Sequence, residues 1–173
     1  MMTATLTSLD LRTCLHIAVQ GYAQQTVDQS RDSVTEMNFL RIDVRLQDEG
    51  RELTSVHCRA LRSELLEMAE ALAFCGEAQQ SHWSGRMLDC PLVVRVNRPQ
   101  DLGMNWSVCA ILVEGGVLPP GVELVWAEER LEDPSGMMTG VRFETRPEAL
   151  ALFARSLEGT IDKYPHRKRI RIT

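Results

Sequence analysis

The 173-residue sequence contains none of the local motifs that mark the common nucleotide-binding, zinc-protease and hydrolase sites. It has no G-x-x-x-x-G-K-[ST], G-x-G-x-x-G, H-E-x-x-H or G-x-S-x-G pattern and no EF-hand loop. These absences disfavour the enzyme classes that depend on such motifs. They leave open an enzyme whose site is assembled from distant residues.

Long apolar runs are missing as well. Residues 1–12 have neither the basic start nor the apolar core of a secretory signal. The longest uncharged apolar stretch, Val108–Val113, falls far short of the roughly 20 residues that a spanning helix needs. The sequence therefore predicts a soluble, cytoplasmic protein without a membrane partner.

The composition is that of an ordinary globular protein, with 44% hydrophobic and 25% charged residues. A chain of this length can bury roughly 70% of its unfolded surface, so neither a metal nor a disulfide is required to hold the fold together. No Ser-, Gly- or Pro-rich linker divides the chain, and residues 1–173 are predicted to form a single domain.

Five cysteines are present, and no two of them form a C-x-x-C pair. Their number is odd, and each lies among apolar or strand-like neighbours, where a free thiol packs as a small hydrophobe. This pattern indicates a reducing compartment and disfavours a disulfide framework. The cysteines are Cys14, Cys58, Cys75, Cys90 and Cys109.

Alternation of apolar and polar residues predicts a series of strands. It is clearest over Leu40–Gln47 and weaker over Leu15–Tyr22, with a polar loop or hairpin connection between them. The connections between the later strands are too short for parallel crossovers, so an antiparallel meander is expected. These later strands are Leu92–Asn97, Met104–Glu114, Val122–Glu129 and Met137–Glu144, with a type I turn at Asp133–Gly136.

Two segments have a helical period instead. The first runs from about Arg59 to Cys75, and Gly76 follows where a helix commonly ends in a left-handed residue. The second begins at the capping-box pattern Thr145–Glu148 and is striped by leucine and phenylalanine. The predicted fold class is α+β, with an antiparallel sheet of about five to seven strands and two helices packed on one face.

Charge is unevenly distributed along the chain. Residues 163–173 hold five basic residues and no acidic one, and we predict a basic tail or a short edge strand there. The net charge is −5 for the whole chain and −10 for the preceding 162 residues. An acidic body repels phosphate backbones and attracts basic partners, so nucleic-acid binding is disfavoured.

Acidic residues cluster at one predicted hairpin end. Such a cluster is either a solvated surface or an electrostatic docking patch. The second interpretation makes them the candidate binding residues for a basic protein partner. They are Glu128, Glu129, Glu132 and Asp133.

Cysteine and histidine lie close together twice, as Cys14 with His16 and as His57 with Cys58. Neither pair has the spacing of a zinc site, and on a strand only residues two apart face the same way. We predict no metal and no cofactor. Cys58, beside the predicted helix start, is the best candidate for a nucleophile, with His57 or His82 as its base.

The order of these elements carries a resemblance to a known family. An alternating strand leads into the helix that ends near Cys75, a Trp83–Ser84 step and further strands follow, and Val141–Thr145 leads directly into a leucine-striped helix. Over roughly residues 38–160 this order resembles the WapI-type immunity proteins of bacteria and related small families of unknown function. The resemblance implies a non-enzymatic protein that binds and neutralises a partner toxin, and it supplies no site residues.

Three functional hypotheses are open at this point. The first is a non-catalytic protein-binding module, of the immunity type, that neutralises a basic partner. The second is a small cytoplasmic enzyme with a motif-free Cys/His site. The third is a structural homodimer formed through an exposed strand edge or helix.

Overall fold

The computed structural model describes residues 3–25, 33–87, 89–98, 103–113 and 138–168. The described residues form eight strands and three helices. The strands are β1 (Thr3–Thr7), β2 (Cys14–Tyr22), β3 (Phe39–Asp48), β4 (Arg51–Leu61), β5 (His82–Arg86), β6 (Leu92–Asn97), β7 (Trp106–Val113) and β8 (Met138–Thr145). The helices are α1 (Val34–Met37), α2 (Arg62–Gly76) and α3 (Pro147–Ile161).

The strands make two antiparallel sheets of four, in the orders β1-β2-β3-β4 and β5-β6-β7-β8. The α+β class with antiparallel pairing is therefore confirmed. The expected single sheet with two helices matches only roughly, because α2 separates β4 from β5 and carries the chain from one sheet to the other. The predicted strand Val122–Glu129 and the turn Asp133–Gly136 lie outside the described residues.

The two halves of the chain repeat one order of elements. Residues 3–76 form four strands and then a 15-residue helix, with the short α1 inserted before β3. Residues 82–161 form four strands and then a second 15-residue helix. The first helix of this pair packs against the second, and the second also packs on β1, so each half helps to cover the other.

The inner faces of both sheets and the apolar stripes of α2 and α3 form one cluster of buried residues. Its largest fully buried side chains include Trp106 on β7 and Phe153 on α3. Burying one large apolar side chain contributes about 1.5–3 kcal/mol, so this shared cluster is the main source of stability. The stripe predicted for the last helix is buried as expected, at Leu150, Phe153, Leu157 and Ile161.

Gly76 ends α2 for a reason that the sequence does not show. Gly76 is the last helical residue, and the following Glu77 has φ −89°. The positive φ of this turn belongs to Ala78, so the prediction of a left-handed conformation at Gly76 is wrong. A Cβ at Gly76 would lie 2.8 Å from the Pro147 carbonyl oxygen and 2.9 Å from the Ala151 nitrogen. Glycine is therefore required for the close approach of α2 to the start of α3.

The predicted capping box at the start of α3 is also wrong. The N-cap residue is Arg146, which makes no side-chain capping bond, and Pro147 occupies the first turn. Thr145 is the last residue of β8, and its hydroxyl donates a 2.7 Å hydrogen bond to the Thr7 carbonyl oxygen. The hydroxyl thus joins the ends of β1 and β8 instead of capping the helix.

β4 was not predicted from the sequence, and it is the strand that matters most for the site. The helix expected from about Arg59 begins only at Arg62, because Arg59 still belongs to β4. β4 is an edge strand, and most of its residues are exposed or half-buried. Because β4 buries few of its side chains, its apolar and polar residues do not alternate clearly enough to predict a strand from the sequence.

Residues 163–168, here called the C-terminal strap, fold back onto the first sheet without forming a strand. The Tyr164 ring meets the Tyr22 ring edge-on at 5.6 Å, and the Arg167 guanidinium lies 3.5 Å from the centroid of the Tyr22 ring. The buried Asn38 side chain pairs with both the N–H and the carbonyl of Arg167, at 2.8 and 3.0 Å. This part of the expected basic tail is therefore docked; residues 169–173 lie outside the described chain.

Candidate functional site

A broad cleft of about 1360 Å³ runs along β3 and β4 of the first sheet. Its opposite side is formed by Asp89 and Pro91, which connect β5 to β6, and by Leu112, Val113 and Thr139 at one end of the second sheet. The first sheet contributes polar and charged side chains from its outer face. These are Gln20, Arg41, Asp43, Ser55, His57 and Arg59.

A hydrogen-bonded group lies on the first-sheet side of the cleft. Asp43 and His57 are direct cross-strand partners, and the Asp43 carboxylate contacts the His57 Nδ1 at 2.5 Å. The same carboxylate accepts a hydrogen bond from the Gln20 amide. Asp43 is 14% exposed and His57 is 81% exposed, so a half-buried carboxylate fixes the orientation of an imidazole that faces solvent.

Two arginines, Arg41 on β3 and Arg59 on β4, lie directly opposite each other. Each is two residues along its strand from the Asp43–His57 pair. Arg59 forms a 2.6 Å ion pair with Asp89 and lies 4.7 Å from the centroid of the Phe39 ring. Its cross-strand partner is Arg41, whose side chain makes no hydrogen bond or ion pair with any part of the chain that the structure describes. Arg41 therefore supplies a cation to the cleft that no side chain of the described residues neutralises.

A disulfide between Cys58 and Cys90 forms part of the same wall. Cys58 lies on β4, Cys90 lies in the connection before β6, and their Cα atoms are 5.3 Å apart. The expectation that all five thiols are free is therefore wrong for this pair. The candidate nucleophile Cys58 is covalently occupied, and it lies in a strand instead of at a helix start.

The Cys14 and His16 side chains point the same way from β2, as the strand geometry predicts. The Cys14 Sγ lies 3.0 Å from the His16 Nε2, and both contact the Gln47 Oε1, at 3.3 and 3.1 Å. The Thr5 hydroxyl lies 2.8 Å from the other ring nitrogen. Both ring nitrogens are thus held by neighbours, and the thiol is buried among them.

His57 and Cys58 point in opposite directions, which also agrees with their predicted strand geometry. His57 pairs with Asp43 on the outer face, while Cys58 bonds to Cys90. The other histidine considered as a base, His82, lies on β5, where its ring contacts Ser81 at 3.3 Å. The structure therefore does not assemble the proposed Cys58 nucleophile with its histidine base.

Neither a metal cluster nor a membrane span is found in the described ranges. Within them, no three His, Cys, Asp or Glu side chains converge as metal ligands would. None of their helices combines the length and the apolar character needed to cross a bilayer.

Comparison of the chain with family models, curated proteins and solved structures finds no match.

The four acidic residues chosen from the sequence, Glu128, Glu129, Glu132 and Asp133, lie outside the described residues. The residues that line the cleft were missed, although one signal for them was present. Three charged residues, Arg41, Asp43 and Arg45, follow one another on the wet face of β3. The pairing of that face with His57 and Arg59 depends on strand register, which the sequence did not reveal.

The three free thiols lie in surroundings that suppress their reactivity. Burial raises the pKa of Cys75 and of Cys109 to about 11, and it also raises the pKa of Cys14. Arg142 and Arg95 near Cys109 act in the opposite direction but do not overcome burial. Because the thiolate is the nucleophile, none of these cysteines is activated at neutral pH.

We expect a chromogenic thiol reagent at pH 7.5 to find no fast thiol in the native, non-reduced protein. Denaturation without reductant should expose three thiols, and reduction with denaturation should expose five. Because the thiolate fraction grows as the pH approaches the raised pKa values of about 11, native reactivity should increase only in alkaline solution. A thiol that reacts at neutral pH as fast as free cysteine would contradict this assignment.

Proposed function

We propose that this protein is a non-catalytic protein-binding module and that the cleft along β3 and β4 is its recognition surface. The cleft, at about 1360 Å³, is larger than the roughly 300–1,000 Å³ typical of small-molecule pockets. An opening of this size suits a loop or an extended segment of a partner protein. The size and the charged lining of the cleft together carry the proposal.

The alternative of a Cys/His enzyme loses support from the state of the cysteines. Cys58 is bonded to Cys90, and burial raises the pKa values of the remaining three thiols. No hydroxyl or thiol among the described residues is hydrogen-bonded to the His57 imidazole. A preformed surface that holds no activated nucleophile in the part of the chain that the structure describes favours binding over catalysis.

A basic partner remains the proposal for the acidic cluster, in keeping with the resemblance to immunity proteins. The net charge of −5 would attract such a partner from a distance and speed its association.

The test is affinity capture followed by binding measurements with the purified partner. We expect the double variant Arg41→Glu/His57→Ala to raise Kd at least tenfold, because it removes the oriented imidazole and the cation that no described side chain neutralises. The matched control Arg155→Glu changes a charge on the exposed face of α3 and should leave Kd within twofold. Equal binding by the cleft variant and the control would reject the cleft as the recognition surface.

The acidic cluster is tested separately by charge reversal to lysine at Glu128, Glu129, Glu132 and Asp133. We expect the association rate to fall at low salt and the difference to disappear at high salt, because screening removes steering. An association rate that responds neither to these substitutions nor to salt would reject the docking patch.

The homodimer hypothesis is favoured by one feature, the exposed 11-residue edge strand β4. A long edge strand presents backbone groups that can pair with another chain. Light scattering of the full chain distinguishes this case, since a dimer has twice the 19.5 kDa mass of the monomer.

A further inference from the structure

Two neighbouring cross-links join the first sheet to the second at the edge of the cleft. One is the Cys58–Cys90 disulfide, and the other is the ion pair between Arg59 Nη2 and Asp89 Oδ2 at 2.6 Å. They use consecutive residues on both sides, 58 and 59 on β4 and 89 and 90 before β6. We call this pair of cross-links the clasp. Among the described cysteines, the clasp holds the one covalent link between the two halves of the chain.

The two cysteines of the disulfide differ in their exposure. Cys90 is 2% exposed and belongs to the buried core, whereas Cys58 is half-buried on an exposed strand and lines the cleft. Attack on a disulfide requires an open approach to one sulfur. Because Cys58 is the cysteine that lines the cleft, it is the one that a reductant in the cleft meets first.

We propose that Cys58–Cys90 is a site of thiol–disulfide exchange with a dithiol reductant, and that its opening releases the wall of the cleft. The inference rests on the proposed function only in treating the cleft as the binding surface.

The exchange proceeds in two steps that balance. A thiolate of the dithiol attacks the Cys58 Sγ, forms a mixed disulfide there, and displaces Cys90 as a thiolate that takes up a proton. The second thiol of the reductant then displaces Cys58 and closes the reductant's own disulfide. Two electrons pass from the dithiol to the protein, and Cys58 and Cys90 end as thiols.

Opening the disulfide leaves a weak junction. The remaining ion pair is solvent-accessible, with the Arg59 and Asp89 side chains 57% and 31% exposed, so salt screens it. Because Cys58, Arg59 and Asp89 all line the cleft, loosening this junction changes the shape of the surface that we assign to binding. The redox state of the clasp would thereby control access to the cleft.

The first experiment uses the full chain and dithiothreitol as the dithiol, without denaturant. We expect alkylation and mass analysis to find no alkylated cysteine before reduction and two afterwards, Cys58 and Cys90, while the protein stays folded. Hydrogen exchange should then accelerate at least tenfold over β4 and residues 89–92 and stay unchanged in α3. A disulfide that opens only as the protein unfolds, or exchange rates that do not change on reduction, would overturn the proposal.

Single variants test which sulfur is attacked. Cys90→Ser leaves Cys58 as a free thiol, and the matched Cys58→Ser variant leaves the buried Cys90 as a free thiol. We expect Cys58 in the first variant to form a mixed disulfide with oxidised glutathione at least tenfold faster than Cys90 does in the second. Equal rates would overturn the assignment of Cys58. No binding partner enters these measurements, so their failure leaves the proposed function intact, and a failed cleft-variant binding test leaves the exchange chemistry intact.

Discussion

Removing the Cys58–Cys90 disulfide is expected to lower the free energy of unfolding by about 4 kcal/mol. The bond closes a loop of 32 residues, and the chain-entropy estimate for a loop of this length is about 4 kcal/mol at 25 °C. The neighbouring Arg59–Asp89 ion pair is half exposed and is worth at most about 1 kcal/mol, so it cannot replace the bond. The loss of about 4 kcal/mol expected on removing the disulfide is a large fraction of the roughly 5–15 kcal/mol that stabilises an ordinary domain.

The measurement is denaturant unfolding of the Cys58→Ala/Cys90→Ala variant beside the oxidised wild type. The double variant avoids leaving one unpaired buried thiol. Reductant should shift the midpoint of the wild type toward that of the variant and leave the variant itself unchanged. Identical midpoints for the oxidised and reduced wild type would show that the bond does not constrain the unfolded chain.

Gly76→Ala is expected to destabilise the protein by about 1–3 kcal/mol, although alanine is the better helix former. Its Cβ would lie under 3 Å from the backbone of α3, at the Pro147 carbonyl and the Ala151 nitrogen. Backbone atoms cannot rotate away as a side chain can, so the two helices must separate, and such overpacking costs about 1–3 kcal/mol.

Gly159 provides the matched control within α3. A Cβ there meets nothing within 4 Å, and the position is exposed. Gly159→Ala should therefore stabilise the protein by about 0.5–1 kcal/mol through helix propensity alone. The two substitutions are chemically identical, so opposite shifts of the unfolding midpoint isolate the contact between the helices. Stabilisation by both would mean that α2 and α3 are not in close contact at Gly76.

The elements that the sequence predicted well are those with strong local periodicity. The predicted strand Leu92–Asn97 coincides with β6, Leu40–Gln47 lies within β3, and the last helix has its expected stripe. Each of these elements has one face in the common core, so its own residues carry the pattern. β4 lacks that pattern because it lies at the sheet edge, and without β4 the division into two sheets could not be foreseen.

The candidate site depends on contacts that no local pattern contains. Asp43 meets His57 only because β3 and β4 pair in one register, and Cys58 meets Cys90 only because two sheets are brought together. Cys14 and His16 lie on one side of a strand as predicted, since that prediction needs only the period of two. Long-range pairing requires the fold itself.

The packing of α3 on β1 has a consequence for synthesis on the ribosome. Thr7 and Thr145, which are hydrogen-bonded in the finished fold, are 138 residues apart in the sequence. Translation at ~5–20 residues per second needs roughly 7–28 s to make that length of chain. During that time the nascent first sheet lacks the cover that α3 gives to β1, where Leu6 belongs to the shared core. Apolar sheet surface exposed in this way makes a growing chain prone to aggregation until translation has finished.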